Sequence, residues 1–131
     1  MLTAEQIMTT DVVTIQSTAT IDDAIQLLVS RRISGIPVVD QDNKLVGIIT
    51  EFALLAMAYD HDVQNDPVDK HMTRDVITVN ATDTVNRVTD LFIVHRVRRL
   101  PVVRNGQLVG LLARYDVLNA LHQSQPPVCT A

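Results

Sequence analysis

The chain has 131 residues, room for about one domain of ordinary size. It is 47% hydrophobic and 20% charged, with 11 Lys and Arg against 15 Asp and Glu, so a net charge of −4 gives no basic field to attract nucleic acid. No run of ~18 apolar residues could span a bilayer, and with 3% aromatics and no Trp the core must be aliphatic and stacking platforms for single-stranded nucleic acid are scarce.

From the N-terminus, Thr3-Ala4-Glu5-Gln6 has capping-box spacing and predicts a short helix toward Met8. Val12–Gln16 reads as a strand. A helix follows, with Ile21, Ala24, Ile25, Leu28 and Val29 in one apolar stripe facing a core, and Thr18 or Thr20 as its cap. Ile36–Asp40 and Leu45–Thr50 are β-branched runs around the turn Gln41–Lys44. A closing helix runs from Glu51 to about Tyr59. It is apolar on every side, so it lies either against a partner or between packed segments of the chain, and a dimer is the favoured reading.

Residues 58–66 are polar and acidic and read as a link. Asp66-Pro67 then opens a turn before Met72, with Pro67 where a helix start tolerates it. Val76–Asn80 reads as a strand. Val85, Val88, Thr89, Phe92 and Ile93 form a second core-facing stripe, capped by Thr82 or Thr84. Leu100–Arg104 and Gln107–Ala113 flank Asn105-Gly106, a strong hairpin signal. A last helix runs from Arg114 to about His122, and residues 123–131 read as a flexible tail.

The order strand, helix, strand, strand, helix thus occurs twice. Met8 to Leu55 recurs as Met72 to Leu118, at an offset of 64 up to Val39/Val103 and of 63 from Leu45/Leu108 onward. Identical pairs include Met8/Met72, Asp11/Asp75, Thr14/Thr78, Pro37/Pro101 and Gly47/Gly110. The boundaries read as a first repeat over 1–60, a linker over 61–69, a second repeat over 70–122 and the tail. Each copy alone is close to the smallest size that supports a core, so the two are expected to fold as one unit.

A tandem repeat of about 60 residues, with Gly35-Ile36-Pro37-Val38-Val39-Asp40 and Leu100-Pro101-Val102-Val103, and with Leu45-Val46-Gly47-Ile48-Ile49-Thr50 and Leu108-Val109-Gly110-Leu111-Leu112-Ala113, closely resembles a pair of CBS domains, a Bateman module. The resemblance covers about Thr3 to Leu121. It implies an α+β fold of two β-α-β-β-α repeats packed with pseudo-two-fold symmetry. It also implies a regulatory module, not an enzyme, that binds AMP, ADP, ATP or S-adenosylmethionine as ligand rather than as a required cofactor. Such modules commonly form homodimers and act on a partner protein, here unknown.

The chemistry of such a site has its own requirements. Adenine needs an apolar slot and backbone hydrogen bonds, which Ile36-Pro37-Val38 and Leu100-Pro101-Val102 can offer because Pro frees a strand edge. Thr14-Ile15 and Thr78-Val79 begin the strands that family members use near adenine. Ribose needs a carboxylate, and phosphate needs cations and a helix N-terminus. The family's Gly-x-x-Thr/Ser-x-x-Asp motif is split here. Gly47-Ile48-Ile49-Thr50-Glu51-Phe52-Ala53 keeps the hydroxyl, and Gly110-Leu111-Leu112-Ala113-Arg114-Tyr115-Asp116 keeps the carboxylate. A lost charge-assisted bond costs on the order of 1.5–3 kcal/mol, about ten- to a hundredfold in affinity, so the Asp116 cleft is the better one. The same spacing is that of a helix capping box, and the residues alone leave both readings open.

The basic run His95-Arg96-Val97-Arg98-Arg99 adds phosphate candidates. By resemblance the residue three before the Pro contacts phosphate, which is Arg98 in the second copy and Ser34 in the first. Arg99 and Arg114 are near it in sequence. His61, His71, His95 and His122 lack metal-ligand spacing, and Asp60, Asp62, Asp66 and Asp69 read as a solvated acidic linker. No nucleophile–base set, P-loop or Rossmann fingerprint is present. The segment MLTAEQIM lacks the features of a secretory signal, and Cys129 is the one cysteine, so a reducing cytoplasm is the simplest compartment. The alternative function is a ligand-free dimeric interaction module whose nucleotide sites have degenerated.

Overall fold

The computed structural model describes residues 2–123; the expected tail beyond Gln123, with Cys129, lies outside them. The elements are α1 (Ala4–Ile7), β1 (Ile15–Gln16), α2 (Ile21–Arg31), β2 (Gly35–Val39), β3 (Leu45–Thr50), α3 (Glu51–Tyr59), β4 (Val79–Asn80), α4 (Val85–His95), β5 (Arg99–Arg104), β6 (Gln107–Ala113) and α5 (Arg114–Gln123). Short 3₁₀ turns occupy His61–Val63 and Val68–Lys70. The strands form two three-stranded sheets, ordered β1-β2-β3 and β4-β5-β6. In each, a parallel pair (Ile15 opposite Val38, Val79 opposite Val102) abuts a strand that also pairs with the hairpin's second arm.

The capping signals mark the true helix starts. Thr20 Oγ1 accepts from the Asp23 N–H at 3.1 Å, while Asp23 Oδ2 accepts from the Thr20 N–H at 3.1 Å, a complete capping box. Thr84, not Thr82, caps α4 through the Arg87 N–H at 3.3 Å. Two expectations are corrected. Strands β1 and β4 have two residues each, because only those pair with the neighbouring strand. Val29 and Ile93 are exposed at 67% and 68%. They sit eight residues past Ile21 and Val85, about 80° round the helix, at the margin of the stripe that buries Ile21, Ala24, Val88 and Phe92.

The compact units are not simply the two sequence copies. One comprises residues 13–76 with 105–108; the other comprises residues 2–12, 77–104 and 109–123. Each repeat is therefore completed by the segment that precedes the other repeat. In the second-repeat unit, Ala4 N–H donates to Asp83 O at 2.8 Å, Glu5 N–H to Ala81 O at 3.0 Å, and Val85 N–H to Leu2 O at 3.1 Å. Thr9 and Leu111 exchange two bonds of 2.9 Å. In the first-repeat unit the same bonds recur 64 residues along the strap: Val68 N–H to Ala19 O at 2.7 Å, Asp69 N–H to Ser17 O at 3.1 Å, and Ile21 N–H to Asp66 O at 2.9 Å. Thr73 and Ile48 exchange two bonds of 2.9 Å.

The straps also fill the cores. Ala4 is buried among Val79, Ala81, Val88, Leu100 and Val102. Val68 and Met72 are buried among Ile15, Ile21, Ile36, Val38 and Ile49. Met72 lies across Gly47 and Met8 across Gly110, so both glycines are required by close approach rather than by a turn. Glu5 also pairs with Arg104. The tip of the second hairpin groups with the first unit: Leu45 N–H donates to Gly106 O at 3.2 Å, and Asn43 Nδ2 to Leu108 O at 3.0 Å.

In the second strap His71 Nε2 lies 2.8 Å from Asp66 Oδ2. That hydrogen bond, opposed by burial and assisted by Lys70, holds the Asp66 carboxyl below its ordinary range.

Two outcomes follow from the straps. A Cβ at Gly47 would stand 2.5 Å from Met72 Sδ and 2.8 Å from the main-chain Thr73 O, so Gly47→Ala is expected to cost about 1–3 kcal/mol by urea unfolding. A variant as stable as the wild type would show that the strap is not seated on β3. Because the folded-state pKa of Asp66 is lowered, its contribution is present above the unfolded pKa and lost as pH falls through the folded one. Asp66→Asn should therefore be less stable than wild type near pH 6, with the gap closing below about pH 4. A gap that persists at pH 2 would contradict this origin.

Candidate functional site

In each unit the parallel strand is too short to cover its neighbour. β1 pairs with β2 only at Val38 and Val39, so Gly35–Pro37 has β3 on one side and no strand on the other. β4 pairs with β5 only at Val102 and Val103, which leaves Arg99–Pro101 in the same position. Pro at the middle of each notch has no N–H to leave unpaired. Thr14 and Thr78, half-buried, immediately precede the short strands and stand at the level of the notch. The notch thus leaves main-chain groups of Gly35–Pro37 and of Arg99–Pro101 without a strand partner on one side.

The side chains divide differently from the simple picture of an apolar wall. Ile15, Ile36 and Val38 belong to the core of the first-repeat unit, and Val79, Leu100 and Val102 to that of the second. Strand alternation turns Pro37 and Pro101 away from those clusters. Pro37 and Pro101 are nonetheless buried like the other wall residues, so the wall contributes main chain rather than an open ring face.

The split motif has a local structural role in both copies. Thr50 Oγ1 accepts from the Ala53 N–H at 3.3 Å and caps α3. Asp116 Oδ2 accepts from the Ala113 N–H at 2.8 Å and closes the first turn of α5 from the other side. Each helix thus keeps one half of a reciprocal capping box. The two roles are compatible at Asp116: a carboxylate has about four acceptor positions, and among the described residues only Oδ2 takes a hydrogen bond. The half-buried carboxylate sits at the end of β6, the last strand of the sheet that carries the Arg99–Pro101 notch.

The cations differ from one another. Arg98 is exposed and Arg99 half-buried at the start of β5. Arg114 is committed to the protein: its Nε donates to Val97 O at 3.1 Å and its Nη2 to Arg96 O at 3.3 Å. Arg96 caps α4 in the left-handed region, φ 53°. Arg114 therefore ties the first turn of α5 to the segment that delivers Arg98 and Arg99. Its role was invisible in sequence because its acceptors are carbonyls. The first copy has Glu51 at this position.

Among the described residues no three His, Cys, Asp or Glu side chains are gathered for a metal ion, and no helix is long and apolar enough to cross a membrane.

The comparisons converge on one family. The CBS domain model matches twice, over residues 4–59 and 68–123. The chain is 33% identical over 116 residues to an uncharacterized protein, MJ1225, of Methanocaldococcus jannaschii, covering 88% of this chain and 41% of that one. It spans 24% of the length of a further archaeal relative, so it corresponds to less than half of these first curated relatives. Among solved structures it is similar to CBSX2 in complex with AMP, at TM-score 0.83 and 29% identity over 94% of this chain and 98% of that one; CBSX2 is from Arabidopsis thaliana. It is also similar to the CBS domain pair of protein MJ0100 in complex with 5′-methylthioadenosine and S-adenosyl-L-methionine, at TM-score 0.78 and 25% identity over 95% and 98%. With both repeats matched and both sheets in the expected order, the chain belongs to the CBS domain family as a tandem pair.

Proposed function

We propose that the chain is a non-catalytic regulatory module that binds an adenosyl ligand (AMP, ADP, ATP or S-adenosylmethionine), chiefly in the second-repeat unit, and acts as a homodimer on a partner protein. The observation that carries this reading is the Asp116 carboxylate. One oxygen anchors α5, and in this reading the other accepts from the vicinal hydroxyls of a ribose. In this reading Thr78, Val79, Leu100, Pro101 and Val102 receive the adenine, mainly through main chain. Arg98 and Arg99 face phosphates, and Arg114 positions them. Thr14, Ile15, Ile36, Pro37, Val38 and Thr50 form the weaker counterpart, which lacks a carboxylate at Ala53. The AMP bound to CBSX2 and the S-adenosylmethionine bound to MJ0100 support the ligand class.

A second reading has its own support. Thr50 and Asp116 both serve as helix caps, so their presence is explained without a ligand. The module would then be a dimeric interaction domain with degenerate sites.

Isothermal titration with AMP, ADP, ATP and S-adenosylmethionine separates the two. At least one ligand is expected to bind. Asp116→Asn, which keeps an acceptor for the Ala113 N–H while removing the charge, should weaken it about ten- to a hundredfold. Thr50→Ala should weaken it less. No heat and no thermal shift at millimolar ligand would leave the interaction module standing.

The caps themselves predict stability changes independent of ligand. Thr50→Ala should cost about 1 kcal/mol, and Ala113→Thr, which completes the box around Asp116, should add about 0.5–1.5 kcal/mol. Chemical denaturation reads both, and an unchanged midpoint for Thr50→Ala would remove its capping role.

A further inference from the structure

Asn105 and Gly106 are the central residues of the turn between β5 and β6. Both have positive φ, 53° and 81°, as a two-residue hairpin turn of this kind requires. Both are exposed, and a Cβ placed on Gly106 would meet no atom within 4 Å. An asparagine amide is chemically labile when the next residue has no side chain, because nothing hinders that residue's main-chain nitrogen from reaching the amide carbon. The first hairpin also carries an asparagine in the left-handed region, Asn43 at φ 62°. Its amide is held: Nδ2 donates to Leu108 O at 3.0 Å, and the residue that follows is Lys44. Among the described residues the Asn105 side chain makes no hydrogen bond.

We propose that Asn105 is a site of spontaneous deamidation to an isoaspartyl linkage, and that pairing of the hairpin tip gates it. The Gly106 main-chain nitrogen gives its proton to hydroxide and attacks Asn105 Cγ. The N–Cγ bond forms, the Cγ–Nδ2 bond breaks, and ammonia leaves with a proton taken from water. Water then opens the five-membered succinimide. Attack at Cγ leaves aspartate; attack at the main-chain carbonyl carbon leaves isoaspartate, in which the chain runs on through Cβ. Water is consumed, ammonia is released, and nothing is oxidised or reduced. The ring requires Asn105 to leave its turn conformation, so it forms when the tip opens locally. Four bonds oppose that opening. Leu45 N–H donates to Gly106 O at 3.2 Å, Leu108 N–H to Asn43 O at 3.1 Å, Gln107 Nε2 to Asp42 O at 3.0 Å, and Asn43 Nδ2 to Leu108 O. Residues 105–108 and the turn they sit on belong to one compact unit. Isoaspartate adds a methylene to the main chain before Gly106 and puts a carboxylate on a tip that abuts Asp42. Both effects work against the tip bonds, so the product holds open the contact whose opening produced it. Neither a ligand nor a dimer is involved.

Incubation of the full chain in mildly alkaline buffer, followed by peptide mass spectrometry, tests the site. The peptide containing Asn105 is expected to gain about one mass unit at least about tenfold faster than the peptide containing Asn43. Its product is expected to accept a methyl group from an isoaspartyl methyltransferase. Equal rates, or aspartate as the sole product, would overturn the proposal. Asn43→Gly keeps a residue suited to positive φ and removes one tip bond, so it should speed the reaction about three- to tenfold. An unchanged rate would overturn the gating. Amide exchange by NMR reads the consequence. The Leu45 and Leu108 amides should exchange at least about tenfold faster in the isoaspartyl product, and at the original rate in Asn105→Gly, whose Gly-Gly turn cannot deamidate. Undiminished protection in the product would overturn the opening of the tip.

Discussion

The structure depends on one constraint: neither repeat contains all of its own core. Each sheet is finished by a main-chain strap that lies before the other repeat in sequence. The strap contributes fully buried side chains, Ala4 in one unit and Val68 in the other. It also satisfies backbone groups at three places: the turn after the short strand, the start of the first helix, and the hairpin's second arm. A buried backbone group without a partner costs about as much as a lost hydrogen bond, so removing a strap would leave several orphaned groups and a hole together. The second strap is also the connection between repeats. The first is the N-terminal segment of the sequence. Cutting the chain into its sequence copies would leave the first copy's sheet without residues 66–73, and would put residues 2–9 on the wrong piece.

This crossing explains a part of the repeat that composition does not. Gly47 and Gly110 sit inside strands, where glycine weakens pairing and gains nothing from its backbone freedom. Their identity is set by the methionine laid across them, Met72 and Met8. The identical pair Met8/Met72 and the identical pair Gly47/Gly110 are two ends of one contact, made twice with the partners exchanged between copies. The glycine also opens the Gly-x-x-Thr/Ser-x-x-Asp motif. The motif therefore begins with a packing requirement and ends with a capping requirement, before any ligand is considered.

Much of the fold was legible because it is written in side chains at regular spacing. The stripes of α2 and α4 mark the helices, Asn105-Gly106 marks the second hairpin, and the choice of Thr18 or Thr20 brackets a helix start that the Thr20–Asp23 bonds then fix. What was not legible is carried by main chain. The strap bonds run between N–H and carbonyl groups of residues such as Glu5 and Ala81, whose side chains carry no sign of the pairing. The same is true of Arg114, whose acceptors are the carbonyls of Arg96 and Val97. The wall residues show a related ambiguity. Ile36, Val38, Leu100 and Val102 suit the apolar surface that a ring needs, and they lie in the cores, because apolar character is what a core also selects.

The two repeats differ most where the fold constrains them least. Straps, glycines, prolines and short strands are duplicated with their hydrogen bonds intact. Among the positions that diverged, Thr50 against Ala113 stands just before a closing helix, and Glu51 against Arg114 and Ala53 against Asp116 lie in its first turn. That turn tolerates change because it has more than one way to satisfy its donors: a hydroxyl at the cap does it in α3, and a carboxylate three residues later does it in α5. Either half of the box holds the helix, so the other half is released from the demands of folding. Duplicated packing and divergent first turns have one cause: the core fixes what it buries, and a redundant cap leaves its neighbours open to other uses.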